Sequence, residues 1–175
     1  MTRDNLQPYL QASTCITSGH PAVRELAGSL ELGEFVCVPL IARDEPLGVM
    51  LAAGSLSSLI FWGPPGVGKT TIARLLAHET DLHFVQISAI FTGVPELRKT
   101  FEAAKIRRQN GQGTLLFVDE IHRFNRAQQD GFLPHMEDGT FLMVAATTEN
   151  PSFELNAAVL SRAQVLVLER LTVDD

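Results

Sequence analysis

The chain has 175 residues, 45% hydrophobic and 19% charged, with 14 Lys and Arg against 20 Asp and Glu and a formal net charge of −6. This excludes a disordered or collagen-like polymer, and also the strongly basic body that non-specific nucleic-acid binders present. The longest unbroken apolar stretch, Phe35 to Ala42, is far shorter than the roughly 18 residues a membrane helix requires. The opening Met1-Thr2-Arg3-Asp4-Asn5 lacks a signal peptide's apolar core, so the chain reads as cytoplasmic, with no membrane partner.

In chain order, Cys15 and Cys37 lie in no disulfide framework and no metal-ligand spacing, and read as small apolar residues. Val23, Leu26, Ala27 and Leu30 recur at helical spacing after Pro21, which predicts a short amphipathic helix. Phe35–Ala42 and Leu47–Ala53 are β-rich runs joined by Arg43-Asp-Glu-Pro46, and read as a hairpin. Near residue 54 the composition changes. From there short apolar runs alternate with amphipathic stretches, the pattern of βαβ units around a parallel sheet. Strands are predicted at Leu59–Trp62, His83–Ile87, Thr114–Val118, Thr140–Ala146 and Gln164–Leu168. Helices are predicted at Thr70–Glu79, through Val94, Leu97, Phe101 and Ala104, and at Asn156–Leu160. The fold class is therefore α/β, and the phosphate loop described next makes it a P-loop NTPase. Arg98, Lys99, Lys105, Arg107 and Arg108, with Glu102 among them, form the one local basic run, which is either a DNA contact or the solvated face of a helix.

The densest chemical signal is Gly63, Pro64, Pro65, Gly66, Val67, Gly68, Lys69 and Thr70, followed by Thr71. Two glycines, a lysine and a hydroxyl residue stand here between a predicted strand and a predicted helix. Glycines let backbone N–H groups converge on phosphate oxygens, Lys69 supplies a charge at the β/γ-phosphates, and Thr70 offers a Mg²⁺ ligand. This predicts ATP and Mg²⁺ as cofactors. Fifty positions later, Asp119 and Glu120 end an apolar strand, where open parallel sheets bind their ligands. Asp119 is expected to hold Mg²⁺ and Glu120 to activate the attacking water. Thr147, Thr148 and Asn150 end the next strand and could reach the γ-phosphate or its water. Arg162 follows the short helix Asn156–Leu160, from which a guanidinium could project into a neighbouring subunit's nucleotide. His122 and His135 belong to no two-histidine helical spacing, so zinc catalysis is set aside, and Ser57, Ser58 and Ser88 lack the glycine elbow of a hydrolase nucleophile.

The strings Leu56–Thr71, Phe117–Asp130, Phe132–Gly139 and Ala146–Asn156 resemble the AAA+ ATPases, and within them the replication-associated recombination (RarA) group. That resemblance implies that Thr148 is the sensor-1 residue and Arg162 a finger acting in trans. It also implies a homo-oligomer remodelling DNA at stalled forks, single-strand/double-strand junctions or recombination intermediates, a single-stranded DNA-binding protein as partner, and association with the bacterial nucleoid. The expected organisation is an N-terminal segment, residues 1–53, and an AAA+ core, residues 54–175, without the family's helical lid and C-terminal domain. The family's adenine-holding Gly-Gln pair is absent from residues 1–53. Residues 34–53 resemble instead the core hairpin of a GAF sensory domain, although in the ATPase register Leu47–Ser57 would be a helix and turn. Gly131 stands where the family has alanine, and a glycine inside a helix costs roughly 1 kcal/mol. Two alternatives accompany the ATPase reading: a nucleotide-binding fragment without turnover, and a helicase of the Asp119-Glu-Ile-His122 type.

Overall fold

The structure, a computed structural model, describes residues 56–169 together with residues 47, 50, 53 and 54. Ser57–Glu169 form one unit, in which Leu115, Leu116, Phe117 and Val118 are all fully buried in succession. A strand with no polar alternation is stable only when both faces of its sheet are covered, and this is the arrangement found. The elements run β1 (Leu59–Trp62), α1 (Lys69–Glu79), β2 (His83–Ser88), α2 (Val94–Gln109), β3 (Thr114–Asp119), a 3-10 turn (Ile121–Arg123), α3 (Arg126–Asp130), α4 (Leu133–Glu137), β4 (Leu142–Thr147), α5 (Pro151–Glu154), α6 (Ala157–Leu160) and β5 (Gln164–Val167). The five strands form one sheet in the order β2-β3-β4-β1-β5, every pair parallel. Crossovers between parallel neighbours place helices on the faces.

One face carries Ile60, Leu116, Val118, Met143 and Ala145, packed with Leu97, Phe101 and Ala104 of α2. Phe101, Phe132 and Phe141 meet there, with ring centroids of Phe101 and Phe132 5.2 Å apart and edge-on, a favoured aromatic geometry. The alternate residues Leu59, Phe61, Leu115, Phe117 and Val144 are equally buried and by the strand period of two belong to the opposite face. There α1 contacts β2, β3 and β4 and buries Ile72, Leu75 and Leu76.

The strand expected at Thr140–Ala146 begins at Leu142 and extends to Thr147. Thr140 belongs to the preceding turn, where its N–H and hydroxyl both donate to Asp138, at 2.7 and 2.6 Å. Periodicity did not predict α3 and α4, but Asn125 and Gln128 form a reciprocal capping box at the start of α3, a four-residue pattern readable in sequence. Gly131 caps the C-terminal end of α3 and is not helix interior, so the expected interior-glycine penalty does not apply. Leu47, Met50 and Ala53 are helical. They follow the helix-and-turn register and correct the expected second hairpin strand. The predicted helix after Pro21, the first hairpin strand, Cys15 and Cys37 lie outside the described residues. Among the described residues no helix is long and apolar enough to cross a membrane.

Candidate nucleotide-binding site

Because every strand is parallel, the residues following β1, β3 and β4 emerge at one edge of the sheet, the carboxyl edge that open α/β sheets use for ligands. The loop after β1 leaves beside Thr147, since Trp62 pairs with Thr147 and the Gly63 N–H donates to the Thr147 carbonyl at 3.2 Å. Pro64 and Pro65 stiffen its first half. Gly66 and Gly68 take φ of 84° and 87°, left-handed values that only glycine adopts freely. Gly68 is the N-cap of α1, and neither a capping side chain nor an acidic residue satisfies the helix's first turn. Free N–H groups and the positive end of the helix dipole make such a terminus an anion site. Lys69 is the first residue of α1, only 8% exposed, and its ammonium donates to the carbonyls of Gly63 and Pro64 at 2.7 and 2.8 Å. Burial lowers its pKa from the ordinary value, while the charges of Glu120 and Asp119 raise it. Val67 and Thr70 are half-buried and Thr71 is the third residue of α1.

Asp119 ends β3, beside Ser88 of β2. Burial raises its pKa, as does the neighbouring Glu120 charge; the Glu120 backbone N–H and the Lys69 charge act the other way. The chain then turns at once into the 3-10 segment, which holds Glu120 at φ 53°, a left-handed backbone that is uncommon for a residue with a side chain. Ile121, fully buried, anchors the turn. The Thr148 hydroxyl donates to Glu120 Oε2 at 3.3 Å. His122 Nδ1 lies 3.2 Å from the same oxygen and 3.0 Å from Thr147 Oγ1. Sequence reasoning offers His122 as a zinc ligand or as the histidine of a helicase motif, and neither reading finds its place in this cluster. Among the described residues no group of three His, Cys, Asp or Glu could hold a metal. The candidate ligands for Mg²⁺ are instead the Thr70 hydroxyl and the Asp119 carboxylate. Both are hard oxygen donors of the kind Mg²⁺ takes together with water and substrate phosphates, so the residues present fit the ion.

The structure does not bring Arg162 to this edge. Arg162 precedes β5, whose Gln164 lies beside Leu59 at the start of β1, so the guanidinium stands at the amino edge of the sheet. Its Nε donates to Glu137 at 2.6 Å and its Nη1 to the Ala158 carbonyl at 3.0 Å. The segment is fixed from behind. Gln129, 1% exposed, donates to the carbonyls of Phe124 and Glu154 and accepts the Asn156 N–H at 2.9 Å. Asn156 in turn caps α6 and donates to Asp130. In the basic run of α2, Lys105 pairs with Glu102 at 3.2 Å and Arg108 with Asp138 at 3.7 Å, while Arg98 and Lys99 are exposed.

A family model described as "ATPase family associated with various cellular activities (AAA)" matches residues 59–171. The chain belongs to the AAA family of ATPases. Over 136 residues, 78% of the chain, this AAA sequence is 53% identical to the Replication-associated recombination protein A of Escherichia coli K12, covering 30% of that protein. It is 50% identical over 155 residues to the protein of that name from Coxiella burnetii, covering 88% of the chain and 34% of the relative. To the ATPase WRNIP1 of Dictyostelium discoideum it is 41% identical over 146 residues, 83% of the chain and 17% of the relative. The chain thus spans about a third or less of the length of these curated relatives. Among solved structures, the RuvB Holliday junction branch migration motor of Thermotoga maritima superposes with a TM-score of 0.58 at 30% identity, covering 73% of the AAA chain and 43% of the motor.

Proposed function

We propose that this AAA chain binds ATP with Mg²⁺ and hydrolyses it, and that turnover drives remodelling of DNA at replication forks or recombination intermediates. The observation carrying the reading is the convergence, at one sheet edge, of a glycine loop whose Lys69 is buried against it with a carboxylate, Glu120, held 3.3 Å from the Thr148 hydroxyl. Gly63 to Thr71 would surround the phosphates with N–H groups and the Lys69 charge. Thr70 and Asp119 would hold Mg²⁺, which when bound neutralises β/γ-phosphate charge. Glu120 takes the proton of a water whose oxygen bonds to the γ-phosphorus as the bond from that phosphorus to the bridging oxygen breaks, leaving ADP and phosphate. Thr148 orients Glu120 and senses the γ-phosphate.

The DNA part rests on the relatives' names and on the exposed Arg98 and Lys99. A homo-oligomer is supported by Arg162 standing at the edge away from its own loop, from which it would serve a neighbour's γ-phosphate. A single-stranded DNA-binding protein as partner, and a cytoplasmic, nucleoid-associated setting, follow from the same resemblance.

Phosphate release by the chain with Mg²⁺, with and without forked DNA, tests the reading, with Lys69→Ala as blank. Glu120→Gln is expected to bind nucleotide like the parent and to lose about a hundredfold or more in turnover, and Lys69→Ala to lose binding. Turnover at the parental rate in Glu120→Gln would remove Glu120 from its role. Nucleotide binding with no release in the parent would leave a binding module, and release indifferent to DNA would detach the remodelling.

A further inference from the structure

His122 has a side chain only 6% exposed, and its neighbours favour one of the two ring nitrogens as the place of the proton. The Thr147 hydroxyl donates to the Glu149 carbonyl at 3.1 Å and accepts the Glu149 N–H at 3.1 Å, and in that arrangement it presents an acceptor lone pair to His122. A carboxylate only accepts. Nδ1 makes its hydrogen bond with Thr147 Oγ1 at 3.0 Å and lies 3.2 Å from Glu120 Oε2; a nitrogen lone pair turned toward a carboxylate oxygen would be repelled, so the geometry favours the hydrogen on Nδ1, donated to Thr147 with Oε2 close beside it. Thr147 is fully buried beside Trp62, and its carbonyl accepts the Gly63 N–H. One ring thus bridges the end of β3 to the end of β4 at the point where the phosphate loop departs. Glu120 needs such a hold, because a residue at φ 53° has no helix or strand ladder to fix the direction of its side chain.

We infer that His122 is a positioning residue: its Nδ1, bonded to Thr147 and set 3.2 Å from Oε2 of Glu120, acts with the Thr148 hydroxyl to keep that oxygen in place so that the other carboxylate oxygen faces the attacking water. This rests on the hydrolysis reading above for its consequence, but not for its geometry. Two readouts test it on the full chain. Long-range ¹H–¹⁵N spectra above about pH 8, where an ordinary histidine is neutral, should show His122, assigned by loss of its signal in His122→Asn, as the Nδ1–H tautomer, with its shifts moving in Glu120→Ala. In turnover assays His122→Ala should lower kcat by about a hundredfold while KM for ATP stays within about threefold. His122→Asn, whose side-chain N–H falls where Nδ1–H stood, should recover most of the loss.

An Nε2–H tautomer, parental kcat in His122→Ala, or equal loss of kcat and nucleotide affinity in both variants would overturn the assignment. If the parent itself shows no Lys69-dependent release, the hydrolysis reading fails instead. The tautomer and its response to Glu120→Ala then still decide whether His122 holds the carboxylate.

Discussion

Gly63, Gly66 and Gly68 belong to one motif, yet three-dimensional surroundings give them different reasons to be glycine. A Cβ on Gly63 would run into the Leu168 backbone carbonyl, whose own N–H donates to Trp62 at 2.7 Å. Around Gly66 and Gly68 the space is open, and only their left-handed φ restricts them. Gly63→Ala should therefore pry the chain after β5 from the end of β1, lowering stability by about 1–3 kcal/mol and shifting the urea midpoint. Gly68→Ala should cost about 1–2 kcal/mol of local strain and be felt mainly in nucleotide affinity. If Gly63→Ala unfolds at the parental urea concentration, the close approach of Leu168 has been misjudged. The motif was legible as a string of residues. The reason for Gly63 was not, because Leu168 approaches it only through the pairing of β1 with β5.

At the scale of elements, α2, α4 and the residue leading into β4 meet around His135, whose ring lies 4.7 Å from Phe101 and 5.7 Å from Phe141. Its Nδ1 is buried without a hydrogen-bond partner among the described residues. Burial first, and then the Lys105 charge, push its pKa below the ordinary histidine value of 6.5. The folded state thus resists a proton that the unfolded chain accepts near 6.5. Stability is full above that value and falls as the pH drops through it toward the lowered folded pKa. His135→Phe keeps the aromatic packing and removes the orphaned nitrogen, so it should unfold no more easily than the parent at neutral pH and show less loss of thermal stability on mild acidification. An unchanged pH slope would mean that other groups set it. The long strands and α2 were legible because apolar runs and three-to-four-residue periodicity are long-range averages that a single residue cannot spoil. Elements of four or five residues, such as α3 and α4, are too short to display a period. They are held by contacts such as Gln129 with Glu154 and Asn156 that no local pattern announces. His122 was invisible for the same reason, since its partners Thr147 and Glu120 come together only when β3 and β4 pair.

At the scale of the whole molecule, the register Leu59 with Gln164 separates Arg162 from the loop after Trp62 by the length of a strand, so the role proposed for it above requires a second copy of the chain. Arg162→Ala alone should lose turnover while binding nucleotide normally, and Lys69→Ala should lose binding. Mixed before assay, the two should recover turnover, because the intact Arg162 of one serves the intact loop of the other. A mixture no more active than its components would end the trans assignment.

The sheet order also dictates when the phosphate loop can exist. β1 is made early, but its partners are β4 and β5, and Gly63 needs the Thr147 carbonyl. As the chain leaves the ribosome, Leu59-Ile-Phe-Trp62 must wait, apolar and unpaired, through the synthesis of nearly the whole domain. Such non-local pairing is slow to form and exposed to aggregation meanwhile. The first motif written in the sequence is consequently among the last to take shape, and a nascent chain released before β4 would carry every residue of the phosphate loop with no strand beside it to hold the loop in form.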